Sequence, residues 1–120
     1  MKGMKVFVFC VCVFVFGVSA ARTRAAAGTQ QGREARLERG RAVYSERCAR
    51  CHGSDGQGRT RMGETVESPD LSDPAWQRAR TDARMIASVA NGRGQMPAFR
   101  KRLSRQDIAA SVAYVRTLRR

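Results

Sequence analysis

An all-α domain is what the sequence predicts, and three observations predict it. Apolar residues recur at helical spacing in separate stretches, capping residues open the later ones, and no stretch alternates apolar and polar residues as a half-buried strand would. The chain's 120 residues leave room for one small domain. That length excludes a multi-domain enzyme or a transporter with several spans.

The first twenty residues stand apart. Lys2 and Lys5 form a short basic start, and Val6 to Val18 is an apolar run of 13 residues broken only by Gly17. A membrane span needs about 20 residues, so the run reads as an export signal rather than as an uncleaved anchor. Val18-Ser19-Ala20 sets small residues at the positions that precede a signal cleavage before Ala21. Neither Cys10 nor Cys12 follows a lipobox-like sequence. The expectation is a signal peptide over 1–20 and a protein delivered to the periplasm.

Residues 21–32 lack periodicity and large apolar side chains, and are expected to form a flexible leader. The domain proper covers 33–120. Leu37, Gly40, Tyr44 and Cys48 recur at spacings of three and four, which predicts a first helix from about Arg33. Gly40 costs such a helix about 1 kcal/mol relative to Ala, a loss that makes sense where another helix crosses closely. Residues 53–72 carry four glycines and Pro69 and read as a long loop. Asp73-Pro74 is an N-cap followed by a first-turn proline, opening a short helix that presents Trp76. Thr81 or Asp82 caps the next helix, whose stripe is Met85, Ile86 and Val89 and whose end is Asn91-Gly92. A second loop, 92–103, contains Gly94, Met96 and Pro97. Ser104 and Asp107 resemble a capping box before a last helix with Ile108, Val112, Val115 and Leu118 on one face and Tyr114 beside them.

After residue 20 the only aromatics are Tyr44, Trp76, Phe99 and Tyr114. A domain this small is marginal on surface-to-volume grounds. Disulfides are the usual remedy in exported chains, but Cys48 and Cys51 sit three apart and cannot staple distant segments. A large apolar cofactor would fill the core instead.

Cys48-Ala49-Arg50-Cys51-His52 has the C-x-x-C-H spacing of haem attachment. Two thiols so spaced can add across the two vinyl groups of one haem, and the following imidazole then lies under the ring to bind iron. Structural zinc would need four ligands, and only Cys48, Cys51 and His52 are available. A thioredoxin-like dithiol would need a βαβ context, which is absent. A bare local disulfide is the remaining competitor. For the opposite face of the iron the exported part offers Met62, Met85 and Met96. Met85 lies on an apolar stripe, where packing is commoner than ligation, and Met62 lies in a charged loop. Met96 precedes Pro97, which holds it extended, and is the expected ligand. A His/Met pair raises the reduction potential and leaves no easy site for substrate, which points to electron transfer rather than catalysis.

With these residues placed, the chain resembles the small soluble monohaem cytochromes c of the bacterial, class I, His/Met-ligated type. The matching elements are Gly40 and Tyr44, Cys48 to His52, Gly53-Ser54-Asp55-Gly56-Gln57-Gly58, Ser68-Pro69-Asp70-Leu71, Gly94-Gln95-Met96-Pro97-Ala98-Phe99 and Ala113-Tyr114-Val115-Arg116. They span about residues 37–118. The resemblance implies a cytochrome c fold of three to five helices around one covalent haem c, with the first and last helices crossing near Gly40 and Tyr114. It implies that the Pro69 carbonyl accepts the His52 Nδ1–H, which orients the ligand. It also implies that Leu71, Trp76 and Phe99 line or flank the ring, with Trp76 or a nearby Arg at a propionate; plain core packing is the alternative for Phe99. Ser111 departs from the pattern, standing where a larger apolar residue is usual.

The charge is +13, falling to +11 once the two lysines of the signal are removed. All but three of the 23 basic residues are Arg, yet no nucleic-acid recognition motif accompanies them. Redox proteins with acidic docking faces fit better, because opposite charge steers encounter; peripheral contact with an anionic membrane is also compatible. Arg100, Lys101, Arg102 and Arg105 follow the Met96 loop and are placed to surround the haem edge, or simply to solvate helix ends. The function expected is a monomeric, non-enzymatic respiratory electron carrier between a quinol-oxidising complex or dehydrogenase and an oxidase or reductase. The alternatives are a cytochrome subunit of a larger oxidoreductase complex and a haem sensor or peroxidase-like protein with a labile Met96.

Overall fold

The computed structural model describes residues 16–120, and the chain divides into two compact units, residues 1–33 and 34–120. Six helices follow in order among the described residues: α1 Phe16–Arg47, α2 Ala49–His52, α3 Arg61–Thr65, α4 Pro74–Arg78, α5 Asp82–Asn91 and α6 Arg105–Thr117. No named strand occurs among them; the one sheet-like feature is an isolated bridge between Arg93 and Met96.

Two elements differ from expectation. Residues 21–32, predicted as a leader without regular structure, lie within α1. Ala25-Ala26-Ala27 and the neighbouring Arg and Gln residues are strong intrinsic helix formers. The absence of an apolar stripe there speaks to packing, not to backbone conformation. The second difference is α3, a single turn inside the long 53–72 loop. Thr60 caps it by accepting a hydrogen bond from the Gly63 amide, a cap that the glycines around it obscured. The expected signal peptide lies outside the described residues as far as Val15. No helix among the described residues is long and apolar enough to cross a membrane.

The other boundaries follow from local chemistry. Asp73 accepts from the Ala75 and Trp76 amides and Pro74 takes the first position of α4. Thr81, not Asp82, caps α5 through the Arg84 amide, and Gly92 ends it. Ser104 and Asp107 form the full reciprocal capping box of α6.

Within the second unit, α1 and α6 cross at Gly40. A Cβ there would collide with the Ala110 carbonyl and touch the Tyr114 Cβ at 3.0 Å. The rings of Tyr44 and Tyr114 then meet at 5.3 Å, tilted by 54°, a favourable aromatic geometry. Arg36 donates to the Ala109 carbonyl and Arg39 pairs with Asp107, tying the same two helices from the outside. Ser111 fits the tight crossing: it is buried and its hydroxyl donates back to the Ile108 carbonyl at 2.8 Å. The core is Tyr44, Leu71, Met85, Val112 and Val115, with Cys48, Trp76, Ile86, Val89 and Leu118 packed against it half-buried.

Candidate haem site

The last residue of the α1 stripe begins the site. The Cys48 amide donates to the Tyr44 carbonyl, and the Cys51 and His52 amides both donate to the Cys48 carbonyl, at 3.1 and 3.0 Å. Cys48, Cys51 and His52 are therefore held on one continuous turn. Gly53 ends it at φ 77, ψ 156, a region essentially restricted to glycine. The buried Tyr44 hydroxyl donates to the Gly53 carbonyl at 2.8 Å and locks that turn to α1. Thr60 closes the other side, donating to the Arg50 and Cys51 carbonyls.

Both thiols are free and half-buried. A bare local disulfide is thus not what the structure contains. Burial, reinforced by the adjacent Cys51, pushes the Cys48 thiol up to about 11, so it stays protonated at neutral pH. The His52 imidazole is pushed below its ordinary value by burial, opposed by the Pro69 carbonyl. Its Nδ1 is the buried side-chain polar atom that lacks a geometrically formed hydrogen bond among the described residues. The Pro69 carbonyl is nonetheless the group that acts on the ring, short of full hydrogen-bond alignment. A buried, neutral imidazole with one nitrogen facing a carbonyl is the form that ligates a metal through the other nitrogen.

The remaining predicted residues are placed as follows. Leu71 is buried at 7% exposure and its amide donates to the Gly56 carbonyl at 2.7 Å. Trp76 is half-buried against the core, with the Arg80 guanidinium 4.3 Å over its ring. Phe99 is buried but lies outside the cluster that holds Leu71 and Trp76. Met96 is half-buried in a turn closed by paired backbone bonds with Arg93, both 3.0 Å. The competing methionines are engaged elsewhere. Met85 is in the core, and Met62 lines a shallow cavity of about 410 Å³ with Arg50, Thr60, Arg61 and Thr65.

The donor set fits a covalent haem. It offers two free thiols on one turn, a buried imidazole whose Nδ1 lacks a partner, and apolar side chains of Trp76, Ile86 and Val89 left partly exposed on the same core cluster as Cys48. No group of three or more His, Cys, Asp or Glu able to hold a metal ion occurs among the described residues.

The sequence pattern did not reveal two supports. Gln77 is 2% exposed and its amide nitrogen donates to both the Leu71 and Val115 carbonyls. Arg116 reaches Asp82 and the Gln77 and Arg80 carbonyls. A glutamine on a short helix and an arginine among many carry no distinguishing signal in one sequence. Only their places in the fold, Gln77 within α4 and Arg116 on α6 facing it, give them a role.

Comparison with known proteins gives the family. The family described as "Cytochrome C oxidase, cbb3-type, subunit III" matches residues 35–115. The chain is 39% identical over 85 residues to the "Cbb3-type cytochrome c oxidase subunit CcoP" of Azospirillum brasilense, covering 70% of this chain and 29% of that one. It is 34% identical over 96 residues to the "Cbb3-type cytochrome c oxidase subunit FixP" of Azorhizobium caulinodans, covering 79% and 31%. The chain thus spans less than a third of the length of these relatives. Among solved structures, the "KustC0563 c-type cytochrome" superposes with a TM-score of 0.64 at 30% identity, covering 68% of this chain and 98% of that one. These relatives favour the cytochrome-subunit alternative over the free carrier. The chain belongs to the c-type cytochromes, in the family of subunit III of cbb3-type cytochrome c oxidases, and its cofactor is covalently bound haem c with its iron.

Proposed function

We propose that the chain is an exported haem c domain that passes single electrons as a cytochrome subunit of a larger oxidoreductase complex, a respiratory oxidase of the cbb3 type. The observation that carries this is the Cys48–Cys51–His52 turn with its buried, unpartnered Nδ1 and the Pro69 carbonyl acting on the same imidazole, in a chain whose relatives bear the names of such subunits. The bound group supplies reversible one-electron chemistry between ferric and ferrous iron. Cys48 and Cys51 would hold it, and His52, oriented by the Pro69 carbonyl, would bind its iron. Met96 would supply the second protein ligand and keep substrates out. Leu71, Trp76 and Phe99 exclude water from the ring, and Arg80 supplies the cation for a propionate. The domain works on the periplasmic side, after cleavage near Ala20/Ala21.

The docking surface belongs to the Met96 loop. From Gly92 to Gln106 the chain carries Arg93, Arg100, Lys101, Arg102 and Arg105 and no acid. None of these five forms an ion pair among the described salt bridges. A partner with an acidic face matches them. A free carrier is the second reading, supported by the near-complete coverage of a chain that is itself a c-type cytochrome.

The test is purification of the tagged, haem-stained protein from detergent-solubilised membranes of its host. Recovery with an oxygen-reducing, carbon monoxide-sensitive oxidase is the expected outcome. Recovery of all the haem-stained chain alone, in the soluble periplasmic fraction, would overturn the subunit reading in favour of the free carrier.

A further inference from the structure

The turn that carries Met96 is fastened to the end of α5 by backbone bonds to three successive carbonyls. The Gly92 amide closes α5 on the Ser88 carbonyl at 2.9 Å, Phe99 donates to the Val89 carbonyl at 3.0 Å, and Arg100 to the Ala90 carbonyl at 3.1 Å. The segment leaves the helix and folds back onto its last turn, and Met96 closes the loop through its backbone bridge with Arg93. Buried Phe99 anchors the returning segment of that loop. On the outside, the Arg100 guanidinium donates to the Asn91 side-chain oxygen at 3.2 Å.

Gly92 makes the return possible. Its backbone stands at φ 77, ψ 164, a conformation essentially restricted to glycine. A Cβ at this position would lie 2.7 Å from the Met96 carbonyl oxygen, 2.9 Å from the Ala98 amide nitrogen and 3.1 Å from the Pro97 carbonyl carbon. All three are backbone atoms of the Met96-Pro97-Ala98 segment and have no rotamer with which to yield. Gly94, in the same turn, has no atom within 4 Å of a built Cβ. Close packing against the Met96 backbone is therefore specific to Gly92.

We propose that Gly92, secured by the Asn91–Arg100 bond, is the positioning residue for Met96: it sets the height of the methionine loop against the end of α5 and thereby how firmly the thioether reaches the iron. This rests on Met96 being the sixth ligand. Any side chain at 92 pushes the Met96 backbone outward, and the effect is read at the iron although residue 92 touches neither haem nor iron.

The experiment uses the haem-loaded full chain and four variants: G92A, N91A, M96A and T81A. Readouts are the far-red absorption band of a thioether-ligated ferric haem, the reduction potential, and the rate of carbon monoxide binding to the reduced protein. M96A tests the underlying reading, since that reading fails if M96A keeps the band. T81A removes the α5 N-cap and lowers stability without touching the turn, so it is expected to keep both band and potential. G92A is expected to weaken the band, lower the potential and bind carbon monoxide about tenfold faster, as an opening of the ligand bond worth the strain at such a backbone position would give. N91A shifts the same readouts in the same direction by a smaller factor, and it decides the matter if G92A yields no loaded protein. Loss of the band in M96A with wild-type band, potential and gas binding in G92A, or in N91A where G92A does not load, overturns the positioning role alone.

Discussion

At the scale of single residues, hydrogen bonds to backbone carbonyls hold the haem-attachment turn in place, and Tyr44 is the most consequential donor. Its ring is 1% exposed and its hydroxyl bonds the carbonyl of Gly53, the residue after His52. Removing that hydroxyl strands a buried carbonyl and costs about 1–2 kcal/mol. Tyr44→Phe should therefore lower the urea midpoint of the holoprotein without changing the slope of the transition, and an unchanged midpoint would show that the bond contributes nothing. The role was only half legible in the sequence. The spacing of Leu37, Gly40, Tyr44 and Cys48 marks Tyr44 as inward-facing, but a hydroxyl's partner nine residues away depends on how the turn folds back. Met96 was singled out in the sequence for a different reason: Pro97 restricts its backbone whatever the fold does. Gly92 was legible as a helix stop, and its contact with the Met96 carbonyl was not.

At the scale of elements, the α1–α6 crossing is what brings the attachment turn, at the end of α1, against the rest of the core. The crossing is tight because Gly40 has no side chain to stand between α1 and the Ala110 carbonyl, and because Ser111 satisfies its own hydroxyl inside the helix. Gly40→Val would force the helices apart. Overpacking of a formed core costs about 1–3 kcal/mol, so the variant should melt several degrees lower and load less haem. Wild-type melting and loading would mean that the crossing tolerates a wider separation than this packing implies. The glycine inside an apolar stripe was the sequence signal here, and it was enough. Capping was legible where the motif is chemically distinctive, as at Asp73-Pro74 and Ser104–Asp107. It failed at Thr60, because a single-turn helix has no periodicity to announce it. It failed also in residues 21–32, where helix propensity without an apolar stripe was read as absence of structure.

At the scale of the whole molecule, a short chain rich in Arg and poor in large apolar residues is organised around a group it does not itself encode. Among the described residues the buried hydrophobic side chains are Tyr44, Leu71, Met85, Phe99, Ile108, Ala110, Val112 and Val115, with Trp76, Ile86 and Val89 only half-covered. That economy is intelligible if a haem supplies the missing apolar contact. The positive charge has a matching logic in the proposed docking surface, since the cations of residues 93–105 form no ion pair among the described residues and an acidic partner would be steered to them. The fold class and the haem attachment were legible from sequence because they depend on spacing within short segments. The choice between free carrier and subunit was not, because it depends on a second surface. The central claim is a haem held by Cys48 and Cys51 with both axial positions filled, by His52 and Met96. The most direct measurement is the visible spectrum of the reduced, haem-loaded protein with and without carbon monoxide. A sharp spectrum unchanged by the gas is the predicted result, and a prompt shift on its addition would contradict a firmly six-coordinate electron carrier.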